Sequence, residues 1–163
     1  MKKIIFLFLI FSAIVFAEWQ YSIHHNEYGI NWHDFTVYDN ETKSKLQVSI
    51  TTDVRNGFSS VRIYNDNIKE NDSLFLYIKD NSGDTMDYSV FKKDIKNEII
   101  GIHDANSYNR GITLTKLLVS AQSVELYNND TSKTLATFDT KGLKEIIEKK
   151  LGNSYWYKYE LNN

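Results

Sequence analysis

A chain of 163 residues with no cysteine and no proline excludes thiol redox chemistry and disulfide stapling, and leaves its turns to Gly, Asn, Asp and Ser. It carries 19 basic and 21 acidic residues, a net charge of −2, with lysines scattered except at Lys92-Lys93 and Lys149-Lys150, so it lacks the clustered basic face of a nucleic-acid binder. Aromatic residues make up 14%, with Tyr 11, rigid amphipathic side chains suited to a core or to a contact surface.

Residues 1–17 begin Met1-Lys2-Lys3, continue through the apolar run Ile4 to Phe11 and end at Val15-Phe16-Ala17. A basic start, an apolar middle and compact residues at the end form the pattern of a bacterial secretory signal peptide. The apolar segment falls short of the roughly 20 residues that cross a bilayer, so cleavage after Ala17 is expected rather than a retained anchor. A lipid anchor would need a cysteine at the cleavage point. Losing Lys2 and Lys3 leaves 17 basic against 21 acidic residues, a net charge of −4. Residues 18–163 are then expected to form a single β-rich domain, periplasmic or secreted, with no integral membrane segment and enough chain for a core of its own.

Trp19, Tyr21 and Ile23 predict an opening strand. Leu46, Val48 and Ile50, then Val61 and Ile63, then Leu74, Leu76 and Ile78 alternate with other residues in the period of half-buried strands. Met86, Tyr88 and Val90 form the expected hairpin partner of Leu74 to Lys79, because Asn81-Ser82-Gly83 supplies a residue free to take positive φ. Ile100 and Ile102, Val124 and Leu126, and Leu135 and Thr137 continue the series. Leu114, Leu117, Leu118 and Ala121 fall at helical spacing, with Thr113 placed to cap a short helix. Leu143, Ile146, Ile147 and Leu151 predict a second, C-terminal helix over Lys141 to Leu151, with Lys149 and Lys150 at its negative end and Gly152 as its stop. Mainly β, with an antiparallel β-sandwich or barrel-like sheet, one short helix and a C-terminal helix, is the fold class that follows. Tyr155-Trp156-Tyr157-Lys158-Tyr159 reads as a last edge strand or as an exposed strip that adds to a partner's sheet.

No motif for chemistry emerges. His24, His25 and His33 lie close in sequence to Asp34, but neighbours on a strand point to opposite faces, and no zinc spacing results. His103-Asp104 reads as a turn. Asp80-Asn81-Ser82-Gly83-Asp84 has oxygen ligands and a glycine, yet the glycine is fourth and no glutamate follows at the calcium-loop distance, so a hairpin turn accounts for it. Asn40-Glu41-Thr42, Asn71-Asp72-Ser73 and Asn129-Asp130-Thr131 match a glycosylation acceptor pattern but in a bacterial protein are polar turns. No serine sits in a Gly-x-Ser-x-Gly elbow, and the pairs Asp84 with Asp87 and Glu145 with Glu148 have the spacing of solvated faces. No catalytic, cofactor-binding or metal-ligating residue is assigned, and no cofactor is implied. An enzyme would have to gather its groups from distant segments.

The C-terminal third carries a more distinctive order: Leu114 to Ala121, then Val124-Glu125-Leu126, then Ala136-Thr137-Phe138-Asp139-Thr140-Lys141-Gly142-Leu143 leading into the helix with Ile147. This resembles small exported proteins of the type VI secretion-associated VasI and invasion-associated locus B type, as do Trp19 and the Leu74-x-Leu76-x-Ile78 strand. The resemblance implies a periplasmic or secreted β-sandwich without established catalysis and carries over no site residue. Within it Phe138 is expected to be the last buried strand position, and Gly142 to let the helix start pack closely.

The expected function is that of an exported, non-enzymatic cell-envelope or secreted protein acting by macromolecular binding, with an envelope protein as a possible partner. The alternatives are a small secreted hydrolase and a ligand-binding barrel, each with a site assembled from separate strands.

Overall fold

A computed structural model describes residues 18–53, 57–105 and 108–162; the signal-peptide reading of residues 1–17 lies outside these. The alternating segments become strands β1 (Gln20–His25), β2 (Asn31–Tyr38), β3 (Lys45–Thr51), β4 (Phe58–Tyr64), β5 (Leu74–Asp80), β6 (Thr85–Ser89), the two-residue β7 (Ile95–Lys96), β8 (Ile99–Ala105) and the two-residue β9 (Tyr108–Asn109). Helix α1 (Arg110–Ser120) follows, then β10 (Ala121–Asn128), β11 (Lys133–Asp139) and helix α2 (Leu143–Leu151). Two antiparallel sheets result. The larger runs β1-β2-β3-β4-β8-β7, with β9 also paired to β8, and the smaller runs β11-β10-β5-β6. Neither closes on itself, so the fold is sandwich-like and not a barrel.

Period-two alternation places Phe35, Val37, Leu46, Val48, Ile50, Val61, Ile63, Ile100 and Ile102 on the inner face of the large sheet, all buried. Leu74, Leu76, Ile78, Val124, Leu126, Ala136 and Phe138 do the same for the small sheet, and both sets join one hydrophobic cluster. Leu114 and Leu118 of α1 and Leu143, Ile147 and Leu151 of α2 complete it. The hairpin between β5 and β6 forms as its turn chemistry dictates: Asp80 Oδ1 accepts the N–H groups of Ser82 and Asp84, and Gly83 sits at φ +94°. Gly142 takes φ +84° ahead of α2; its value is that backbone conformation rather than close packing, since the nearest atom to an added Cβ, Trp19 Cδ1, would be 3.9 Å away.

Several expectations are corrected. In β11 the inward positions are Ala136 and Phe138, while Thr137 is exposed and Leu135 only partly buried. Helix α1 starts at Arg110, and Thr113 does not cap it: its hydroxyl donates back to the Asn109 carbonyl (2.7 Å). The cap comes from a neighbouring strand, Asp104 Oδ1 accepting the Ile112 N–H (3.0 Å) while its Oδ2 accepts the Ser59 N–H (2.8 Å). His103-Asp104 is therefore strand, not turn. Ala121 opens β10 instead of ending the helix.

The tail is not an edge strand, nor extended enough to join a partner's sheet. It coils helically from Tyr155 to Leu161. Ser154 Oγ accepts the Tyr157 N–H (3.1 Å), the geometry of an N-cap, and the coil buries the neighbours Trp156 and Tyr157 together. A strand would send those two rings to opposite faces. Strand β2 has no counterpart in the sequence-based series. Its inner row contains His33 beside Phe35 and Val37, which hides the apolar alternation.

Candidate functional site

The outer face of the large sheet, opposite the side covered by α1 and the small sheet, is unusual in composition. Asp34 lies directly across from Ser49, Ser49 from Ser60, and Ser60 from His103, one polar row over four strands. The next row is Thr36, Gln47, Arg62 and Gly101, and beyond it lie Tyr38, Lys45, Tyr64 and Ile99. On the other side of the first row His24 faces Trp32, and Thr51 faces Phe58. Exposed sheet surfaces usually carry long charged side chains. Here Ser49 is 1% and Ser60 2% exposed, because longer neighbours lean over them.

These contacts define a trough. Gln47 Nε2 donates to Ser49 Oγ (3.3 Å), and Tyr64 O–H donates to Gln47 Oε1 (3.4 Å). Lys45 Nζ stands 3.6 Å above the centre of the Tyr64 ring, a cation–π contact. Gly101 has no side chain, which lets the His103 ring lie against the sheet: a Cβ there would come 2.7 Å from His103 Nε2. His103 Nδ1 and Ser60 Oγ share a hydrogen bond of 2.7 Å. At the far end His24 Nδ1 meets Asp34 Oδ2 at 2.7 Å, and the His24 ring stacks on Trp32 with an interplanar angle of 7°. Asp34 Oδ1 is buried with no hydrogen-bond partner among the described residues.

Basic groups on this face are shaped mainly by burial. Burial is the main force holding the His103 imidazole below its ordinary pKa, and the nearby Arg62 adds to it, against the opposing pull of Asp94 and Asp104. Burial also lowers the Lys45 ammonium, with Asp34 opposing and Arg62 assisting. Arg62 itself is half-buried and makes neither an ion pair nor a hydrogen bond among the described residues. Arg110 is a useful contrast. It borders a hollow of about 470 Å³ between β6 and α1, but its guanidinium donates to Asp94 (2.7 Å) and lies 4.4 Å over the Phe91 ring, so its charge is already answered.

Of the residues singled out in the sequence, the structure joins His24 to Asp34 and separates the others. His33 points to the inner face, where its Nδ1 hydrogen-bonds the Tyr21 hydroxyl (2.9 Å). His25 is exposed on the face opposite His24. Among the described residues no group of three or more His, Asp or Glu side chains is arranged to hold a metal ion, and no residue set suggests a cofactor. Asp80 and Asp84 do turn chemistry, as described above.

Ser60 and His103 have the contact of a nucleophile and base, but the surroundings do not fit acyl transfer. Ser60 sits mid-strand in β4, paired on both sides to β3 and β8, so neighbouring N–H groups belong to the ladder and none is free to stabilise an oxyanion. The carboxylate that would orient the base is also misplaced: Asp34 serves His24, and Asp104 points inward to α1. What the trough offers chemically is a buried base of hydroxyl and amide groups, two flanking rings, and the more accessible Arg62 and His103 side chains. Sequence inspection missed Trp32, Gln47, Ser49, Ser60, Arg62 and Tyr64 as a group, although one signal was present. The outward positions of β3 and β4 hold Gln47, Ser49, Thr51 and Ser60, short polar residues where solvent-facing strands favour long charged ones.

No protein-family model matches this chain, and no curated protein or solved structure matches it either.

Proposed function

We propose that this protein is an exported, non-enzymatic binding domain of the cell envelope or secreted space, and that it holds a hydroxyl-rich polysaccharide across the outer face of its large sheet. The observation that carries this reading is the polar outer face as a whole: over a buried base of Asp34, Gln47, Ser49 and Ser60, the accessible polar groups His24, Thr36, Arg62 and His103 stand beside the rings of Trp32 and Tyr64. Sugar hydroxyls are donors and acceptors at once and pair with such groups, while the apolar faces of sugar rings stack on rings such as Trp32 and Tyr64. From Lys45 to Thr51 the floor runs roughly 20 Å at about 3.3 Å per residue, the reach of an extended polymer rather than a small metabolite. The signal-peptide pattern read in the sequence of residues 1–17 favours a location where such polymers are found.

The test is isothermal titration of the purified domain with soluble polysaccharides, neutral and acidic, alongside Trp32→Ala. Binding to at least one polymer, weakened about tenfold or more in the variant, is expected; no binding to any of them refutes the reading. The Ser60–His103 contact favours one second reading, a hydrolase. Release of reducing ends from any of these polymers, abolished by Ser60→Ala, would establish it in place of simple binding.

A further inference from the structure

We propose that the outer face of the small sheet is a separate protein-docking surface, on which the rings of Tyr77 and Tyr127 and the carboxylates of Asp87 and Glu125 receive an arginine side chain of a partner protein. This face belongs to the other sheet from the trough, so the inference stands independently of the polysaccharide reading. Because Leu76, Ile78, Val124 and Leu126 enter the core, their strand neighbours point outward. Strand register then sets Glu125, Tyr77 and Asp87 side by side across β10, β5 and β6, with Tyr127 and Phe75 paired in the adjoining row. Phe75, Tyr77 and Tyr127 are all half-buried. The Phe75 and Tyr77 rings lie 6.4 Å apart and 8° from parallel, and Tyr127 leans on Tyr77 at 5.3 Å, so the three form one continuous aromatic patch.

Charge selects the occupant. Directly paired positions stand about 5 Å apart at Cβ, so Tyr77 has a carboxylate on each side. Glu125 Oε1 accepts the Thr134 hydroxyl (2.6 Å), and Asp87 makes neither an ion pair nor a hydrogen bond among the described residues. The lysine on this face, Lys79, runs the other way: its Cε lies 4.0 Å from where a Cβ on Gly83 would stand, beside the β5–β6 turn. The Tyr77 phenol is held above its ordinary pKa by desolvation first and then by Asp87, Tyr127 and Glu125, in keeping with a negative field over the patch. Such a field favours a cation over a neutral group stacked on the same rings. A ring face attracts a cation, and a carboxylate pairs with one. A guanidinium does both at once, its plane flat on the ring and its N–H edge forked onto the carboxylate, whereas an ammonium is a strongly hydrated point charge with no plane to stack. The guanidinium is the side chain of arginine, which makes the partner a protein.

Fluorescence anisotropy of the intact domain with three labelled peptides tests this: alternating Ser-Arg, alternating Ser-Lys, and alternating Ser-citrulline, which keeps the shape of arginine without its charge. The Ser-Arg peptide should bind at least about fivefold more tightly than Ser-Lys, with affinity falling as salt rises, and Ser-citrulline should not bind. Asp87→Asn combined with Glu125→Gln should weaken Ser-Arg binding about tenfold or more. Tyr77→Leu should erase the preference over Ser-Lys, and Tyr77→Phe, which keeps the ring, should retain it; the carboxylate pair of substitutions decides the matter where Tyr77→Leu loses its fold by thermal melt. No binding of Ser-Arg, equal binding of Ser-Lys or Ser-citrulline, or Ser-Arg binding unmoved by the carboxylate substitutions overturns the inference. Polysaccharide titration of the same variants should match the parent, so failure of one reading leaves the other intact.

Discussion

Replacing Gly111 with alanine places one methyl group where α1 presses on the large sheet beneath the trough. The new Cβ would overlap the carbonyl of Ser59, in β4, and touch the amide of Asp104, in β8. Both obstacles are backbone of central strands and cannot rotate away. Restoring a contact of about 3.5 Å requires the helix to back off by roughly 1.5 Å. That displacement stretches the Ser59–Thr115 hydroxyl bond (2.6 Å) and the Asp104 cap on Ile112 (3.0 Å) beyond useful length, and loosens Leu114 and Leu118, both fully buried. Two hydrogen bonds at about 1 kcal/mol each and a core strain of about 1–3 kcal/mol outweigh the gain of up to about 1 kcal/mol from removing a helical glycine. The net loss should be about 2–4 kcal/mol, read as a lower urea midpoint at unchanged slope. Under the binding reading, polysaccharide affinity should fall with it, because β4 and β8 carry Ser60 and His103 on the opposite face. Gly83→Ala is the control: its site is open, with only Lys79 Cε at 4.0 Å, and its φ of +94° limits the cost to about 1–2 kcal/mol. A Gly111→Ala protein as stable as the parent would refute the packing argument.

Three further outcomes are expected. Trp32→Ala should leave the urea midpoint within about 0.5 kcal/mol of the parent, because Trp32 is only half-buried on the outer face, so its effect belongs to ligand titration. Trp156→Ala should cost about 3–5 kcal/mol, since the ring is buried against Gly57; a small loss would show that the tail coil is not anchored. Asp39 contributes to acid stability. Burial raises its carboxyl, but hydrogen bonds from the Thr42 hydroxyl and the Glu41 and Thr137 N–H groups more than offset this, so its folded pKa lies below 3.8. Its contribution is present above that unfolded value and lost as the pH falls through the folded one. Asp39→Asn should therefore be less stable at pH 7 and show a flatter decline in melting temperature below about pH 4; an identical acid limb in both proteins would contradict this.

Local periodicity made most of the scaffold legible. Leu46, Val48 and Ile50, or Leu74, Leu76 and Ile78, announce both strand and buried face, and the stripe Leu143, Ile147 and Leu151 announces α2. It failed where a tertiary partner decides. The inner row of β2 includes His33, held by the Tyr21 hydroxyl twelve residues away, and α1 begins where Asp104 can cap it from an adjacent strand rather than where Thr113 sits. In the tail, Ser154 initiates a helical turn whose aromatic residues have strand propensity, and capping plus the burial of Trp156 and Tyr157 won. The trough was illegible for a different reason. Its residues come from five strands, and a row such as Asp34, Ser49, Ser60 and His103 exists only once register is fixed.

The order of the strands also sets how far apart in the chain the partners of the small sheet lie, and from it an assembly order is expected. The small sheet takes β5 and β6 early, then waits while β7, β8, β9 and α1 are laid down on or against the large sheet, and only afterwards receives β10 on the open side of β5. Until then β5, with Leu74, Phe75, Leu76, Tyr77 and Ile78, presents an unpaired edge that is apolar on both faces. Closing it means ordering some forty intervening residues first, a loop-closure cost that favours slow folding. A chain delivered unfolded would thus be most vulnerable to aggregation through β5, and a chaperone that shields this strand would protect the protein before its last hairpin arrives.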